Sequence, residues 1–565
     1  MKKSLLFTAL GSLALGAMAQ TEPVKIGSFH AGSMSANGRY LSSAINGTVS
    51  LYDSEKNQVI FTNSYDGLGM GNGRNISDNG VFLIGDMNAA WLVIDGKEVS
   101  QNVLQKFPFS SLNAITPDGK YLCGSVSNFD IIPNSDDNTM YLPVVYTLGE
   151  DNQLSEPEYL PYPALDFLNK PIQYASAVNI SNDGKTICGL VTDWSGFMSY
   201  PIIYTKDADG KWSYDLPTKE YLNPNNLVLP EDPGEAKQAK DFMTPEEIAA
   251  YQEAYNKWQA ETPNDYAKMP LIENYMTAEE LAAFNAYAKE FNQKLEEYYI
   301  IRNQIIDETL KFEQNITCIS SDGKYVAAAA SVVVPNDDPA SWRPFKELYV
   351  TYIFNLADDT MSQLECKEGI VPSTITDNGD VFCGTIPDMM SNTPLSGFVG
   401  NVASTETQPL VEYLSTVNPA YSTWMVENCS RMTITGYDPD TYEPIEENIV
   451  YSGRPFASAD GKTMATAIDF VMDEDEFVTV YFPASSSAIS NVASDLASFK
   501  VNASVGGVIN VNGQAASIAV YDLSGRVVFT ADAVEGAVAT GLNAGVYVVK
   551  AVAADGQTVT EKVAF

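Results

Sequence analysis

The sequence predicts a mainly β chain: a β-propeller of about seven blades with an α-helical insertion, followed by a small antiparallel β-sandwich. Three observations predict it. A turn-forming phrase recurs seven times through the body of the chain. One long insertion, about 230–314, switches to helical composition. After a small-residue linker at 485–490 the composition shifts to Ala, Val and Gly.

The phrase is Ser or Thr, two residues usually including Asp or Asn, a Gly, one more residue, then an apolar or β-branched run. Its copies begin at Ser35, Ser77, Thr116, Ser181, Ser320, Thr376 and Ser458, with the glycines at 38, 80, 119, 184, 323, 379 and 461. Four copies add a second glycine five residues later, at Gly85, Gly124, Gly189 and Gly384. Asp-Gly and Asn-Gly tolerate the positive φ angles of a tight primed turn, and the flanks alternate as strands do. Gly80 follows Gly38 by 42 residues and Gly119 follows Gly80 by 39. One four-stranded blade takes about 40–45 residues.

A second strand pair follows each phrase, as in the run Trp91 to Ile94 and the run Leu348 to Phe354. Each unit therefore reads strand, turn, strand, variable loop, strand, short turn, strand. Over about 24–483 this order resembles the blades of WD-repeat and related β-propellers, although their Trp-Asp and Gly-His dipeptides are absent. The last unit runs out after Phe477–Phe482 without a fourth strand. The segment Val24–Gly27 is expected to supply it and close the ring, which removes an exposed sheet edge.

Blade order also sorts the loops. The two short turns of a unit share one face; the middle loop and the connection to the next unit share the other. The long segments 128–140, 152–172, 333–347, 387–394 and 409–448 are all of the second kind. One elaborated face and one plain face are expected, with function on the elaborated one. The insertion contains an echo, with the run from Met243 to Tyr251 returning as Met276 to Phe284. Each copy opens on a capping box, Thr244 with Glu247 and Thr277 with Glu280, and Pro245 stands where a missing N–H costs nothing. The helices can serve as a lid or platform, or pack over the ring.

The two ends carry addresses. Lys2 and Lys3, the apolar stretch from Leu5 to Ala17, and small residues at Ala17 and Ala19 form a secretory signal pattern over 1–19. The stretch is too short to span a bilayer, which takes about 20 residues, and no other segment is long and apolar enough. The expected organisation is a signal peptide at 1–19, a propeller at 20–484, a linker at 485–491 and a C-terminal domain at 492–565. In that domain Tyr521-Asp522-x-x-Gly525-Arg526, then Leu542-x-x-Gly545-x-Tyr547-x-x-Lys550, then Lys562 near the end, stand in order. This resembles the type IX (Por) secretion C-terminal sorting domain of Bacteroidota. The family's early Pro-Asn-Pro is missing. The resemblance implies recognition by the type IX machinery, passage through the periplasm and across the outer membrane, removal of this module near 485–495, and a secreted or surface-held product.

The chemistry of the remainder is mostly exclusion. With 72 acidic and 33 basic residues the formal charge is −39, which argues against nucleic acid and anionic lipid. The single histidine, His30, rules out multi-His metal sites, and no GxSxG, HExxH or phosphate-binding glycine loop occurs. No cofactor is expected. Calcium is the one ion with candidate stretches, at 136–138, 438–440 and 473–476, none of which makes a full EF-hand loop. Of the six cysteines, Cys123, Cys188 and Cys383 share a repeat position and read as small buried residues. Cys366 with Cys429 is a candidate disulfide. Trp194, Trp342 and Trp424 fall in or beside the long loops and are the candidate ligand-binding residues. The expected role is binding of an extracellular glycan or protein across the loop-bearing face. The alternatives are a carbohydrate-active hydrolase with paired carboxylates in the central channel, and a structural surface protein.

Overall fold

In the computed structural model the chain divides into two compact units, 22–483 with a mainly β body, and a C-terminal unit from 484. The structure describes residues 22–484 and 500–564 apart from 46, 65–67, 70–72, 87–89, 108–109, 128–140, 173, 194–197, 336–343, 387–394, 438–440, 442, 471–476, 505–507, 523–525, 544–545 and 554–557. The N-terminal address at 1–19 and the linker lie outside the described residues.

The body is a chain of four-strand antiparallel meanders, each named here by its turn glycine. The Gly38 meander is Ala31–Met34, Tyr40–Ile45, Thr48–Asp53 and Gln58–Ser64. The Gly80 meander is Leu68–Gly69, Phe82–Asp86, Ala90–Ile94 and Lys97–Ser100. The Gly119 meander is Ser111–Ile115, Tyr121–Ser127, Tyr141–Thr147 and Glu158–Tyr159. The Gly184 meander is Tyr174–Ile180, Thr186–Thr192, Ser199–Lys206 and Trp212–Asp215. The Gly323 meander is Lys311–Ile319, Tyr325–Pro335, Phe345–Asn355 and Thr360–Gln363. The Gly379 meander is Ile370–Ile375, Asp380–Thr385, Gly397–Asn401 and Thr407–Pro409. In the Gly461 meander, Arg454–Ala457, Met464–Asp469 and Phe477–Phe482 are joined by Val24–Gly27, which pairs antiparallel with Phe477–Phe482 in the register Val24↔Tyr481. The expected role of the N-terminal strand is therefore observed. The Gly119, Gly184 and Gly323 meanders run on into one another only through the single pairs Tyr141↔Tyr174 and Ser199↔Phe312.

Side chains alternate between the two faces of each meander, so each meander packs on both neighbours. Leu51 meets Phe82 across one interface and Leu83 meets Leu122 across the next. The series returns to its start: Ile26, Phe29, Leu41, Phe456, Ala465 and Tyr481 form one buried cluster between the Gly461 and Gly38 meanders. The core is thus a cycle of sheet-on-sheet interfaces, the packing of a β-propeller.

The recurring phrase forms the turn between first and second strands, but not the primed turn expected of it. Only the glycine enters the left-handed region, for example Gly119 at φ +76° and Gly379 at +84°, while the Asx before it does not. The glycine N–H donates to the Ser or Thr carbonyl three residues back, and the Ser or Thr hydroxyl donates to the Asx side chain, as in Ser181 to Asp183 at 2.8 Å. The hydroxyl also accepts the N–H that opens the second strand, as from Thr186 at 3.0 Å. This is the three-residue hairpin with a left-handed glycine. The Ser/Thr and Asx side chains hold it from inside, which is why the phrase begins where it does.

The insertion leaves the Gly184 meander at Asp215 and returns at Lys311, earlier than the expected 230. Its helices are α1, Pro245–Glu261, and α2, Ala278–Glu308. Both capping boxes form: Glu247 N–H donates to Thr244 Oγ1 and Thr244 N–H to Glu247 Oε2, with the same exchange between Glu280 and Thr277. No residue of α1 is buried, and only Tyr298 and Ile305 are buried in α2. The segment at 409–448, expected as loop, is largely ordered structure. Helices α3, Leu410–Val417, and α4, Pro419–Cys429, precede the hairpin Ser430–Tyr437 and Pro444–Val450. Leu410, Leu414, Tyr421 and Met425 enter the buried cluster of the Gly379 and Gly461 meanders.

All six cysteines are free thiols, so the Cys366–Cys429 disulfide does not form. Cys429 lies in that last cluster and Cys366 packs beside the previous one. Cys123, Cys188 and Cys383 are fully buried, as expected.

The C-terminal unit has five antiparallel strands. Val508–Tyr521 pairs along one edge with Val527–Ala539, and along the other first with Lys500–Ser504, then with Val546–Ala553, beyond which Thr558–Ala564 follows. Instead of two separately paired layers there is one connected sheet. It curls so that Lys500–Ser504 comes back against Thr558–Ala564, around Ile509, Val511, Ile518, Val520, Val549 and Val563.

Candidate functional site: the central channel and the loop-bearing face

The turns of the body touch one another in sequence. Asn37 N–H donates to Asp78 Oδ1 (2.8 Å), Asp78 N–H to Pro117 O (2.8 Å) and Asn182 N–H to Ser321 O (2.8 Å). Asp322 N–H donates to Asp377 Oδ1 (2.9 Å), Asp377 N–H to Ala459 O (2.9 Å) and Ala459 N–H to Ala36 O (2.7 Å). Between Gly119 and Gly184 the link is steric: a Cβ on Gly184 would lie 2.6 Å from the Tyr121 ring. All first-to-second-strand turns thus lie together. The middle loops and the connections between meanders, including α1, α2 and the α3–α4 segment, leave from the opposite strand ends.

Inside this circle the first strands line a channel. Its wall includes Gly32, Ser33 and Met34, Asn179, Thr317 to Ile319, Pro372 to Ile375, and Phe456 and Ala457. Two arginines occupy it. Arg74 reaches across to the Gly184 and Gly323 meanders, where Nη1 donates to Ser321 Oγ (2.7 Å) and Nη2 to Ile180 O (3.2 Å). Arg454 makes only a long bond from Nη2 to Pro372 O (3.5 Å) and lies 5.6 Å from the Phe456 ring centre. The Nε of each is buried and has no partner. Burial pushes both guanidinium groups below their ordinary range, yet both stay partly open to the channel. No Asp or Glu is among the described residues lining this cavity of the channel.

His30 sits just before Ala31–Met34 with its N–H donated to Ser43 Oγ (3.1 Å). It is half-buried, and burial lowers its pKa more than nearby Asp469 raises it; Arg454 adds a smaller lowering. It stands at the rim of the channel's first strand rather than in the core.

Neither the channel arginines nor their role was read from sequence. A signal existed: both follow a glycine, Gly73-Arg74 and Gly453-Arg454, a few residues ahead of a turn phrase. The glycines permit close approach, since a Cβ on Gly453 would fall 1.9 Å from Ala467 O.

Of the three tryptophans singled out by sequence, Trp194 and Trp342 lie outside the described residues. Trp424 is in α4, half-buried against the cluster of Leu414 and Met425. The three calcium candidate stretches also lie outside the described residues, and no group of metal-holding side chains occurs among the described ones. No described helix is long and apolar enough to cross a membrane.

In the C-terminal unit, Asp522 and Arg526 close a turn. Asp522 N–H donates to Arg526 O (2.9 Å), and Arg526 Nε to Asp522 Oδ2 (3.2 Å). Tyr547 Oη donates to Asn543 O (3.1 Å). Tyr521 and Leu542 are half-buried and Lys550 is exposed. Lys562 lies within Thr558–Ala564, and Gly525 and Gly545 lie outside the described residues.

No family model matches the chain, and no curated protein matches it. Among solved structures it is similar to an oligogalacturonate lyase from Vibrio parahaemolyticus, at 9% identity and a TM-score of 0.37, covering 82% of this chain and 92% of that one. It is similar to the WD40 domain of SCAP from fission yeast, at 7% identity and 0.33, covering 82% and 98%. It is also similar to the hydrazine synthase of Kuenenia stuttgartiensis, at 10% identity and 0.35, covering 83% and 99%.

Proposed function

We propose that the body is a seven-bladed β-propeller, closed by its N-terminal strand, that binds an extracellular glycan or protein through its loop-bearing face. The observation that carries this reading is that, among the described residues, the helical arm and the α3–α4 segment leave from the strand ends opposite the recurring turns. A rigid ring whose described long connections share one face is built to present that face. The helical arm supports the same reading: α1 packs its half-buried Tyr251 and Trp258 on Tyr275 and Tyr266 of the arm itself, and none of its residues is fully buried.

The test is a binding screen of the mature chain on glycan arrays and against surface proteins. It is repeated with 219–309 replaced by a short Gly/Ser linker, and with Lys120→Glu and Lys462→Glu on the turn face. The reading expects the arm deletion to abolish or redirect binding and the turn-face changes to leave it intact. The reverse pattern sinks it.

Export is the second part of the proposal. The C-terminal unit is a type IX sorting domain, and the signal at 1–19 delivers the chain to the periplasm. The order of the Tyr521 to Arg526 and Leu542 to Lys550 phrases supports this. A fluorescent protein carrying the signal peptide and 484–565 should reach the medium or cell surface of a type IX-competent bacterium, with the module cleaved off. Retention in the periplasm, equal to that of a fusion lacking 484–565, counts against it.

A further inference from the structure

The chain has seven arginines, and it places two of them in one channel where they donate to a hydroxyl and backbone carbonyls, not to carboxylates. Acids outnumber bases by 72 to 33, and other arginines of the chain do hold carboxylates. Arg39 holds Asp53 and Glu55, and Arg526 holds Asp522. No carboxylate acts on Arg454, and a largely enclosed guanidinium without a counter-charge is unfavourable, so Arg454 stands incomplete without a negative ligand.

Arg454 is the better centre of the two. Both Nη groups of Arg74 are already donating to protein, and Asp78 and Asp377 act on it electrostatically. Arg454 spends only one long bond on protein. The titratable groups acting on it are the thiols of Cys318 and Cys383, which burial keeps neutral, and it acts in turn on His30. Its fork of donors is therefore free for a planar or tetrahedral oxyanion, the geometry guanidinium matches best. Ser33, Ser373, Thr374 and Asn179 line the same space and add small polar groups.

We propose that the central channel is a binding site for a small oxyanion, a carboxylate or a sulfate or phosphate group, held by Arg454 with Arg74 supplying a second positive charge. The site lies in the ring rather than on its loops, and it does not depend on the loop-face reading.

The experiment is calorimetric titration of the full chain at low salt and near-neutral pH. The probes are acetate, glucuronate, sulfate and phosphate, so that the carboxylate and tetrahedral arms separate the two chemistries. At least one probe is expected to bind saturably at one site. Arg454→Gln should weaken it about tenfold or more, as loss of a charge-assisted fork implies, while the control Arg526→Gln leaves it unchanged. Arg454→Lys keeps the charge without the fork and should fall between; if the Gln variant does not fold, the Lys variant decides. Failure of every probe to bind, or an affinity unmoved by substitution at Arg454, overturns the proposal.

Discussion

Thr479 ties the end of the ring to its beginning. Its Oγ1 donates to Phe29 O at 2.8 Å and accepts from Ala31 N–H at 2.9 Å. All three residues are 2% exposed or less. Thr479→Val keeps the shape and the β-branched preference for a strand but removes both bonds. One buried donor and one buried acceptor then lose their partner, each at about 1–3 kcal/mol. Neighbouring strand groups recover part of this, so the expected destabilisation is about 2–4 kcal/mol in total. An internal comparison comes from Thr351, which reaches from the Gly323 meander to the opening of the Gly379 meander. It donates to Ile370 O at 2.8 Å and takes no backbone N–H in return. Thr351→Val should cost about half as much, about 1–2 kcal/mol. Equilibrium urea unfolding, followed by tryptophan fluorescence, reads both as shifts in midpoint at unchanged slope. A Thr479→Val loss below about 0.5 kcal/mol, or one no larger than that of Thr351→Val, would falsify the idea that this hydroxyl secures closure.

Three further outcomes follow. Gly184→Ala places a Cβ 2.6 Å from the Tyr121 ring at φ +69°, so thermal unfolding should show a loss above the about 1–2 kcal/mol of left-handed strain alone. Adding Tyr121→Ala should return only the clash component. Burial pushes the Cys188 and Cys383 thiols up to about 12, so alkylation of the native protein in mildly alkaline buffer should label Cys366 first and leave these two intact. Intact-mass measurement without reductant should show no hydrogens lost to a disulfide. His30 has its pKa lowered below 6.5 in the fold, so the unfolded chain binds the proton more readily. Its contribution is present above the unfolded value and is lost as pH falls through 6.5 toward the folded one. The stability difference between wild type and His30→Gln should therefore shift against the wild type on acidification over that window, and a pH-independent difference would refute it.

The legible parts of this protein were those where a local signal and the final structure agree. The turn phrase marks its strands because Ser or Thr, Asx and Gly satisfy one another within a few residues. The capping boxes at Thr244 and Thr277 mark helix starts for the same reason. The N-terminal strand was legible by counting, since the last meander lacked an edge partner. The 409–448 segment was not legible. Leu410, Leu414, Tyr421 and Met425 make sense as helix faces only when the cluster they fill is present. The supposed pairing of Cys366 with Cys429 failed because sequence spacing does not say which interface a side chain enters.

By itself, then, the sequence determined the repeat, its strand order, and the split between the body and the C-terminal unit. These rest on contacts within a few residues or on simple order along the chain. Tertiary structure alone decided which side chains fill each interface, the tie through Thr479, and the placing of Arg74 and Arg454 in one channel. Those two arginines stand 380 positions apart, and only the return of the last meander to the first brings them into one channel.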